Sequence, residues 1–317
     1  MNIPCGREEE ARLFQNIIKS GRLSQAYIIN APEGTGKKTV TDYIVSLLLC
    51  DTHSSCGVCK SCRSLAARCH PDVVYLTKDP DKASIGVDNV RAIKGEVYTK
   101  PAMASFKAVV ADAMELATDS AQNAMLKMIE EPPENVVFFL LCSTMAPILP
   151  TILSRTVTVN LKPLAPEALR QITGADDFLV SICGGNPGRL KSLIGDTEYT
   201  DFRDEVTDAF FSVTAEDAYS PYSAAQRLDK FKARSGEVLD IMLTLARDAY
   251  FAKTGLLDYL INSDKVNYVN AFAARLSADR ISRIINHIKD TISQKGASGN
   301  FAMAVTILLL RCRGEMR

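Results

Sequence analysis

No excess of one charge sign marks this 317-residue sequence: 37 Lys+Arg stand against 37 Asp+Glu, a formal net charge of +0. That absence excludes a strongly basic nucleic-acid binder acting through its overall charge, and an acidic disordered tail protein. No apolar run reaches the ~20 residues that a membrane-spanning helix needs; the longest late stretch, Phe301 to Leu310, is about half of that. The opening MNIPCGREEE has three acids and no apolar run, so no secretory signal is expected and the protein is read as cytoplasmic, with no membrane partner. Internal repeats and low-complexity tracts are also missing. What remains is an ordinary globular composition, 47% hydrophobic and 23% charged. The length suggests about two domains and permits three small ones.

Nine cysteines need an explanation in a reducing compartment, where structural disulfides are rare. Four are bunched at Cys50, Cys56, Cys59 and Cys62. Four thiolates so close in the chain suffice for a closed tetrahedral four-cysteine zinc site, structural because no coordination position stays open. The C-x2-C-x2-C core also fits the start of an iron–sulfur run, but that pattern wants a fourth Cys three residues on and then Pro, where this chain has Ala66 and Ala67. His53, Cys69 and His70 are alternative ligands. Cys5, Cys69, Cys142, Cys183 and Cys312 are read as small, mostly buried hydrophobes.

Strand and helix signals alternate through the first half. Ala26 to Ala31, Val73 to Leu76, Ala108 to Ala111 and Val136 to Cys142 read as strands. Lys37 to Leu49, Val87 to Val97 and Ser120 to Glu130 read as helices, the last stopped by Pro132-Pro133. Strands joined by helix-length connections predict a parallel sheet with helices on both faces. Near Leu161 the pattern changes to short helices, Leu164 to Gly174 and Phe178 to Leu193, broken by Gly184-Gly185-Asn186-Pro187-Gly188. Beyond Tyr199 only helices are expected, among them Val238 to Phe251 and Asp279 to Ile292. The expected domains are therefore an α/β domain over 1–161 with a zinc module at about 50–62, a small helical lid over 162–198, and an all-α domain over 199–317.

The first strand runs into APEGTGKKT (31–39), the strand–turn–helix setting of a phosphate loop. A working loop, G-x-x-x-x-G-K-S/T, cradles phosphates on backbone amides, reaches them with Lys and holds Mg²⁺ with the hydroxyl. Gly34, Gly36 and Lys37 are in place, but the first position is Ala31 and the hydroxyl position is Lys38. Thr39 lies one residue away, about 100° of helix. The strand AVVADA (108–113) supplies Asp112 as a Mg²⁺ ligand, yet the following position, where a water-orienting Glu belongs, is Ala113. Phosphoryl transfer depends on positioning and charge stabilisation, so loss of both groups predicts a nucleotide-site fold without turnover. ATP binding without hydrolysis stays open, as does anion binding by Lys37 at the helix N-terminus.

In chain order, RLSQAY (22–27), APEGTGKKT, the cysteine quartet, HPD (70–72), GVDNVR (86–91), NAMLKMIEEPP (123–133), LPTILSRT (149–156) and GGNPGRL (184–190) resemble bacterial DNA polymerase III clamp-loader subunits. The likeness covers roughly residues 20–195; the helical tail is compatible with it. HPD, GVDNVR and the degenerate loop resemble the delta-prime branch rather than the gamma/tau motor branch; the alternative is an active AAA+ ATPase of the gamma/tau type. The resemblance implies an AAA+ P-loop-type sheet domain, a helical lid and an all-α collar in a hetero-oligomeric ring with gamma/tau and delta. That ring loads the β sliding clamp onto primed DNA. It also implies that Arg155, within Ser154-Arg155-Thr156, acts in trans on ATP held by a neighbouring subunit, Thr156 standing where the family usually has Cys. A trans arginine is worth about 10³–10⁵ in rate in GTPase systems, its planar fork staying charged and pairing bidentately with phosphate oxygens. Ser143 or Thr144 falls at the sensor 1 position and Arg189 at sensor 2. Glu130-Glu131 sits unfavourably against its helix dipole. Lys230, Lys232 and Arg234 form a modest basic patch, read as a solvated helix face.

Overall fold

In the computed structural model of the protein, residues 2–175, 177–214, 219–294 and 300–316 are described. The chain divides into two compact units, Met1–Gly174 with Gly184–Leu190, and Ala175–Cys183 with Lys191–Arg317.

The first unit is built on α1 (Glu8–Lys19), β1 (Ala26–Asn30), α2 (Lys37–Leu49), α3 (Lys60–Ala66), β2 (Val73–Leu76), α4 (Val87–Val97) and β3 (Lys107–Ala111). It continues through α5 (Asp119–Glu130), β4 (Val136–Cys142), α6 (Pro150–Leu153), β5 (Val157–Asn160) and α7 (Pro166–Thr173). The strands form one sheet in the order β2-β3-β4-β1-β5, every pairing parallel. Parallel neighbours cannot be joined by tight hairpins, so each connection crosses a face and carries a helix or long loop. This is the parallel sheet with intervening helices expected from the alternation of elements, with the cysteine quartet inserted between α2 and β2.

The uninterrupted apolar run of β4, VVFFLLC, is explained by its central place and two covered faces. Successive side chains alternate: Phe138 and Leu140 join Val90, Val97, Met125 and Ile129 from α4 and α5. Val137, Phe139 and Leu141 join Phe14 from α1 and Val40, Ile44 and Leu48 from α2 on the other face. Each such large side chain contributes about 1.5–3 kcal/mol on burial. Tyr27 stacks on Phe139 at 5.8 Å and meets the edge of Phe14 at 5.1 Å, its hydroxyl accepting the Ser24 N–H at 2.8 Å. Thr118 caps α5 by accepting the Ala121 N–H, and Pro132-Pro133 ends the helix as expected.

Four elements of this unit escaped the sequence reading, among them the four-residue α6. The acid-rich α1 does carry Ala11, Phe14, Ile17 and Ile18 at helical spacing, a signal the sequence reading passed over, α3 lies inside the cysteine spacing, and β5 is a four-residue edge strand with no fully buried position.

The second unit contains α8 (Asp177–Ile182), the later part of α9 (Pro187–Gly195), α10 (Tyr199–Phe211), α11 (Ser220–Leu228), α12 (Ser235–Lys253), α13 (Val266–Ala274), α14 (Ala278–Gln294) and α15 (Phe301–Gly314). Among the described residues it has no strand, as expected. Ile281, Ile284 and Ile288 on α14, Leu245 on α12 and Leu308 on α15 are fully buried, the helical spacing of an amphipathic core. A buried polar knot accompanies it: the guanidinium of Arg203 donates to Asp264 at 2.7 Å and to Asn262 at 2.8 Å, and Asn262 donates to Asp248. No helix among the described residues is long and apolar enough to cross a membrane.

Candidate phosphate-loop cleft, cysteine cluster and Arg155

The turn between β1 and α2 has the shape of a phosphate loop because Gly34 and Gly36 adopt φ of 79° and 91°, backbone that a side chain would strain. A cleft of about 530 Å³ opens beside it, lined by Gly34, Gly36, Lys37, Asp112, Glu115 and Ser143 among others. The structure therefore brings together the glycines, the lysine and the strand-end aspartate singled out in the sequence. Lys38 and Thr39 are both exposed, and Ala113 sits at φ 53° where the Glu would be.

Lys37 is turned onto its own chain. Its ammonium donates to the carbonyls of Ala31 at 2.6 Å and Pro32 at 3.2 Å and to Ser143 Oγ at 3.0 Å. An ammonium has three protons, so every one has an internal acceptor. Ser143, at the end of β4, thus serves the lysine, whereas the Thr144 hydroxyl accepts the Ala146 N–H.

The loop is also held from behind. Asn186 Nδ2 donates to the Glu33 carbonyl at 2.7 Å, and the Gly188 N–H donates to the Gly34 carbonyl at 2.9 Å. Arg7 donates to the Thr35 carbonyl at 2.9 Å. A Cβ on Gly188 would lie 2.7 Å from Gly34 Cα, so only glycine permits this approach. The sequence marks GGNPG as a turn but gives no sign of where it docks. Arg189 starts α9, its N–H donating to Asn186 Oδ1 at 3.0 Å. Glu115 was not anticipated either: its Oε2 is buried at the cleft without a hydrogen-bond partner among the described residues. Burial, then the Glu115 charge, push the neighbouring Cys142 thiol up to about 11, against a smaller opposing effect of Lys37.

The Cys50, Cys56, Cys59 and Cys62 sulfurs all lie within 4.8 Å of one another, with Cys50 and Cys59 4.0 Å apart. A disulfide needs about 2.05 Å, whereas a tetrahedral ion with metal–sulfur bonds of about 2.3 Å sets its sulfurs about 3.8 Å apart. The quartet thus has the spacing of a metal cage. Backbone N–H groups of Cys56, Cys59 and Cys62 point at the sulfurs of Cys50, Cys56 and Cys59 at 3.4–3.5 Å, the arrangement that stabilises thiolate charge. Burial pushes the Cys50 thiol up, but hydrogen bonds from the Thr52 side chain and from backbone N–H groups outweigh it and bring it down to about 5. Burial drives Cys62 to about 12. The tight path requires φ of 50°, 55° and 75° at His53, Ser55 and Gly57.

Neither histidine joins the cage. The His53 ring lies 3.1 Å from the Leu47 carbonyl, and His70 Nδ1 accepts the Asp72 N–H at 3.0 Å. His70 stands in a loop yet is buried. Of the remaining cysteines, Cys142, Cys183 and Cys312 are buried as expected; Cys69 is exposed and Cys5 only partly covered, because each sits in an irregular surface segment rather than on a core-facing element.

Arg155 follows α6 and is 43% exposed. Its Nη1 donates to the Thr151 carbonyl and to Ser154 Oγ, both at 3.1 Å, and its Nη2 pairs with Glu130 at 2.9 Å. The positive charge at Glu130 accounts for a carboxylate at a helix C-terminus, which its dipole alone disfavours. Thr156 Oγ1 donates to the Ile152 carbonyl. The basic patch, by contrast, is largely neutralised: Lys230 pairs with Glu205, and Arg234 with Asp196 and Glu237 while lying 4.0 Å over Phe202.

Comparison with known proteins covers both units. The family described as "DNA polymerase III, delta subunit" matches residues 6–165, and its C-terminal counterpart matches 198–313. DNA polymerase III subunit delta' of Escherichia coli is 30% identical over 94% of this chain and 92% of that protein. The gamma/tau subunit of Mycobacterium bovis is 32% identical over 53% of this chain, a match that spans only 29% of that protein. A gamma subunit-related protein of Thermotoga maritima superposes with a TM-score of 0.48 at 19% identity, over 97% of this chain and 99% of that one. In sequence, the gamma/tau match stops at about half of the chain, whereas the match to the Escherichia coli delta' subunit continues through the helical unit. On that full-length match, the chain belongs to the delta-prime family of DNA polymerase III subunits.

Proposed function

We propose that this chain is the non-hydrolysing delta-prime member of a clamp-loader ring. In it the chain works with gamma/tau and delta subunits in the cytoplasm to place the β sliding clamp on primed DNA. The observation that carries the non-hydrolysing part is the state of Lys37: all three ammonium protons have acceptors on its own chain. A phosphate would have to displace these carbonyls, and it would find neither a Mg²⁺ hydroxyl at position 38 nor a water-orienting carboxylate at position 113. The same internal bonding argues that ATP is not held at Gly34, Gly36, Lys37 and Asp112.

The chain's chemical contribution is Arg155, offered across a subunit interface to ATP bound by a gamma/tau neighbour. Arg155 is at the surface and belongs to no buried network, as a residue acting on another subunit must be. Ser154 supports it by accepting one of its protons. The cysteine quartet supplies a closed four-thiolate cage for zinc, which leaves no position for a reactant and so staples the segment between α2 and β2. In keeping with the family, the sheet domain, a small helical lid and an all-α collar divide the work of interface and ring closure.

DNA-stimulated ATP turnover by the reconstituted complex tests the reading, with wild-type and Arg155→Ala chains compared and assembly followed by gel filtration. A fall of at least about tenfold in an intact ring is expected, a modest share of the about 10³–10⁵ known for trans arginines because other sites in the ring keep theirs. Unchanged turnover in an intact ring, or ATP hydrolysis by the isolated chain, refutes it.

A further inference from the structure

The surface ion pair between Arg155 and Glu130 joins segments that are held together independently. Gln122, fully buried on α5, donates to the Pro147 carbonyl at 2.9 Å and accepts the Leu149 N–H at 2.8 Å. Those two bonds tie α5 to the loop that starts α6. Ile152 of α6 is fully buried in the same core as Met125 and Ile129 of α5. The base of α6 is thus fixed on α5, and at the far end of α5 the carboxylate of Glu130 meets the guanidinium of Arg155 at 2.9 Å.

We infer that Glu130 is a positioning residue for Arg155, an inference that rests on the trans-arginine reading above. A guanidinium has five N–H donors. Thr151 and Ser154 accept from Nη1, and Glu130 forms an ion pair with Nη2. These three contacts do not engage the Nε–H, which stays available to a phosphate oxygen. An arginine side chain free to sample its rotamers loses conformational entropy when it is fixed; holding it before the neighbour arrives removes part of that cost from the engagement step. The carboxylate acts on the orientation of the guanidinium and does not touch the nucleotide.

The test compares Glu130→Gln, Arg155→Ala and the double variant in the reconstituted complex, reading kcat and KM for ATP. Glu130→Gln keeps the size and one acceptor oxygen but loses the charge. Its expected effect is a roughly two- to fivefold fall in kcat, the scale of an exposed pair, with KM unchanged and no further fall when added to Arg155→Ala. An equal fall in both backgrounds makes Glu130 a general structural residue and overturns the inference. Unchanged or increased turnover with Glu130→Gln, while Arg155→Ala is impaired, overturns it and leaves the trans arginine standing. If Arg155→Ala itself has no effect, the earlier reading fails and this one with it. A second measurement needs no ring: exchange of the Arg155 guanidinium protons with water, followed by NMR on the isolated chain, is expected to quicken in Glu130→Gln. Unaltered exchange counts against the pair.

Discussion

Replacing Asp72 by Asn should destabilise the sheet unit markedly. Asp72 has 0% exposure, and its carboxylate accepts three backbone N–H groups, from Ala102 at 2.5 Å, Met103 at 2.7 Å and Ala104 at 2.8 Å. Its own carbonyl accepts the Ala108 N–H at 2.9 Å at the start of the β2–β3 ladder. One carboxylate therefore orders the approach to β3, the strand that delivers Asp112 to the cleft. Burial pushes this carboxyl's pKa up, yet the three N–H donors, with a smaller contribution from His70, bring it below the ordinary carboxylate value.

An amide can still present its oxygen to Met103 and Ala104, but each bond loses charge assistance, about 1 kcal/mol apiece, and its NH2 then faces the Ala102 N–H, at about 1–3 kcal/mol for the orphaned donor. The expected loss is about 3–5 kcal/mol out of a typical total of about 5–15. Urea unfolding followed by circular dichroism, at constant slope, reads it directly. A loss below about 1 kcal/mol would refute this account of the His-Pro-Asp motif. The pH dependence has a definite sign. Because the folded-state pKa is depressed, the stabilisation is complete above the unfolded value of about 3.9 and disappears as pH falls through the folded value. In Asp72→Asn that component of the acid sensitivity should be missing.

Cys59→Ser removes one sulfur of the cage, the acceptor for the Cys62 N–H and the cap of α3; bound metal, measured by mass spectrometry, should drop from about one per chain to near zero. Its melting temperature should fall, while the effect of Arg155→Ala on the complex persists; undiminished metal would dismiss the four-thiolate cage. Gly188→Ala places a methyl 2.7 Å from Gly34 Cα and 2.9 Å from its carbonyl oxygen, both backbone, so the loop must shift and the Gly188–Gly34 hydrogen bond weaken. A loss of about 1–3 kcal/mol in thermal or urea unfolding is expected, and full wild-type stability would mean that the docking of this turn is slack.

Much of the molecule is written in one dimension because its signals are local. Strand and helix limits at Lys37–Leu49, Val73–Leu76, Val87–Val97 and Val136–Cys142 follow from apolar periodicity and proline stops within each segment. The cysteine spacing announces a four-sulfur cluster, since residues that close in sequence can converge through a few turns. Absence of a hydroxyl at position 38 and of Glu at position 113 is equally legible, because both positions are counted from a motif.

What the sequence left open depends on contacts between distant segments. Lys37 reads as a phosphate-binding lysine until Ser143, brought alongside by the β1–β4 pairing, is seen to accept its proton. The GGNPG turn is only a turn until Gly188 meets Gly34, and Glu130 is an ill-placed carboxylate until the packing of α6 on α5 sets Arg155 beside it. β5 has too few apolar residues to declare itself and exists because β1 offers it a free edge. Local pattern thus determined most of the elements and which residues stand at positions 38 and 113, while tertiary structure decided which charges are satisfied and by whom, since hydrogen bonds between remote segments leave no periodicity in the chain.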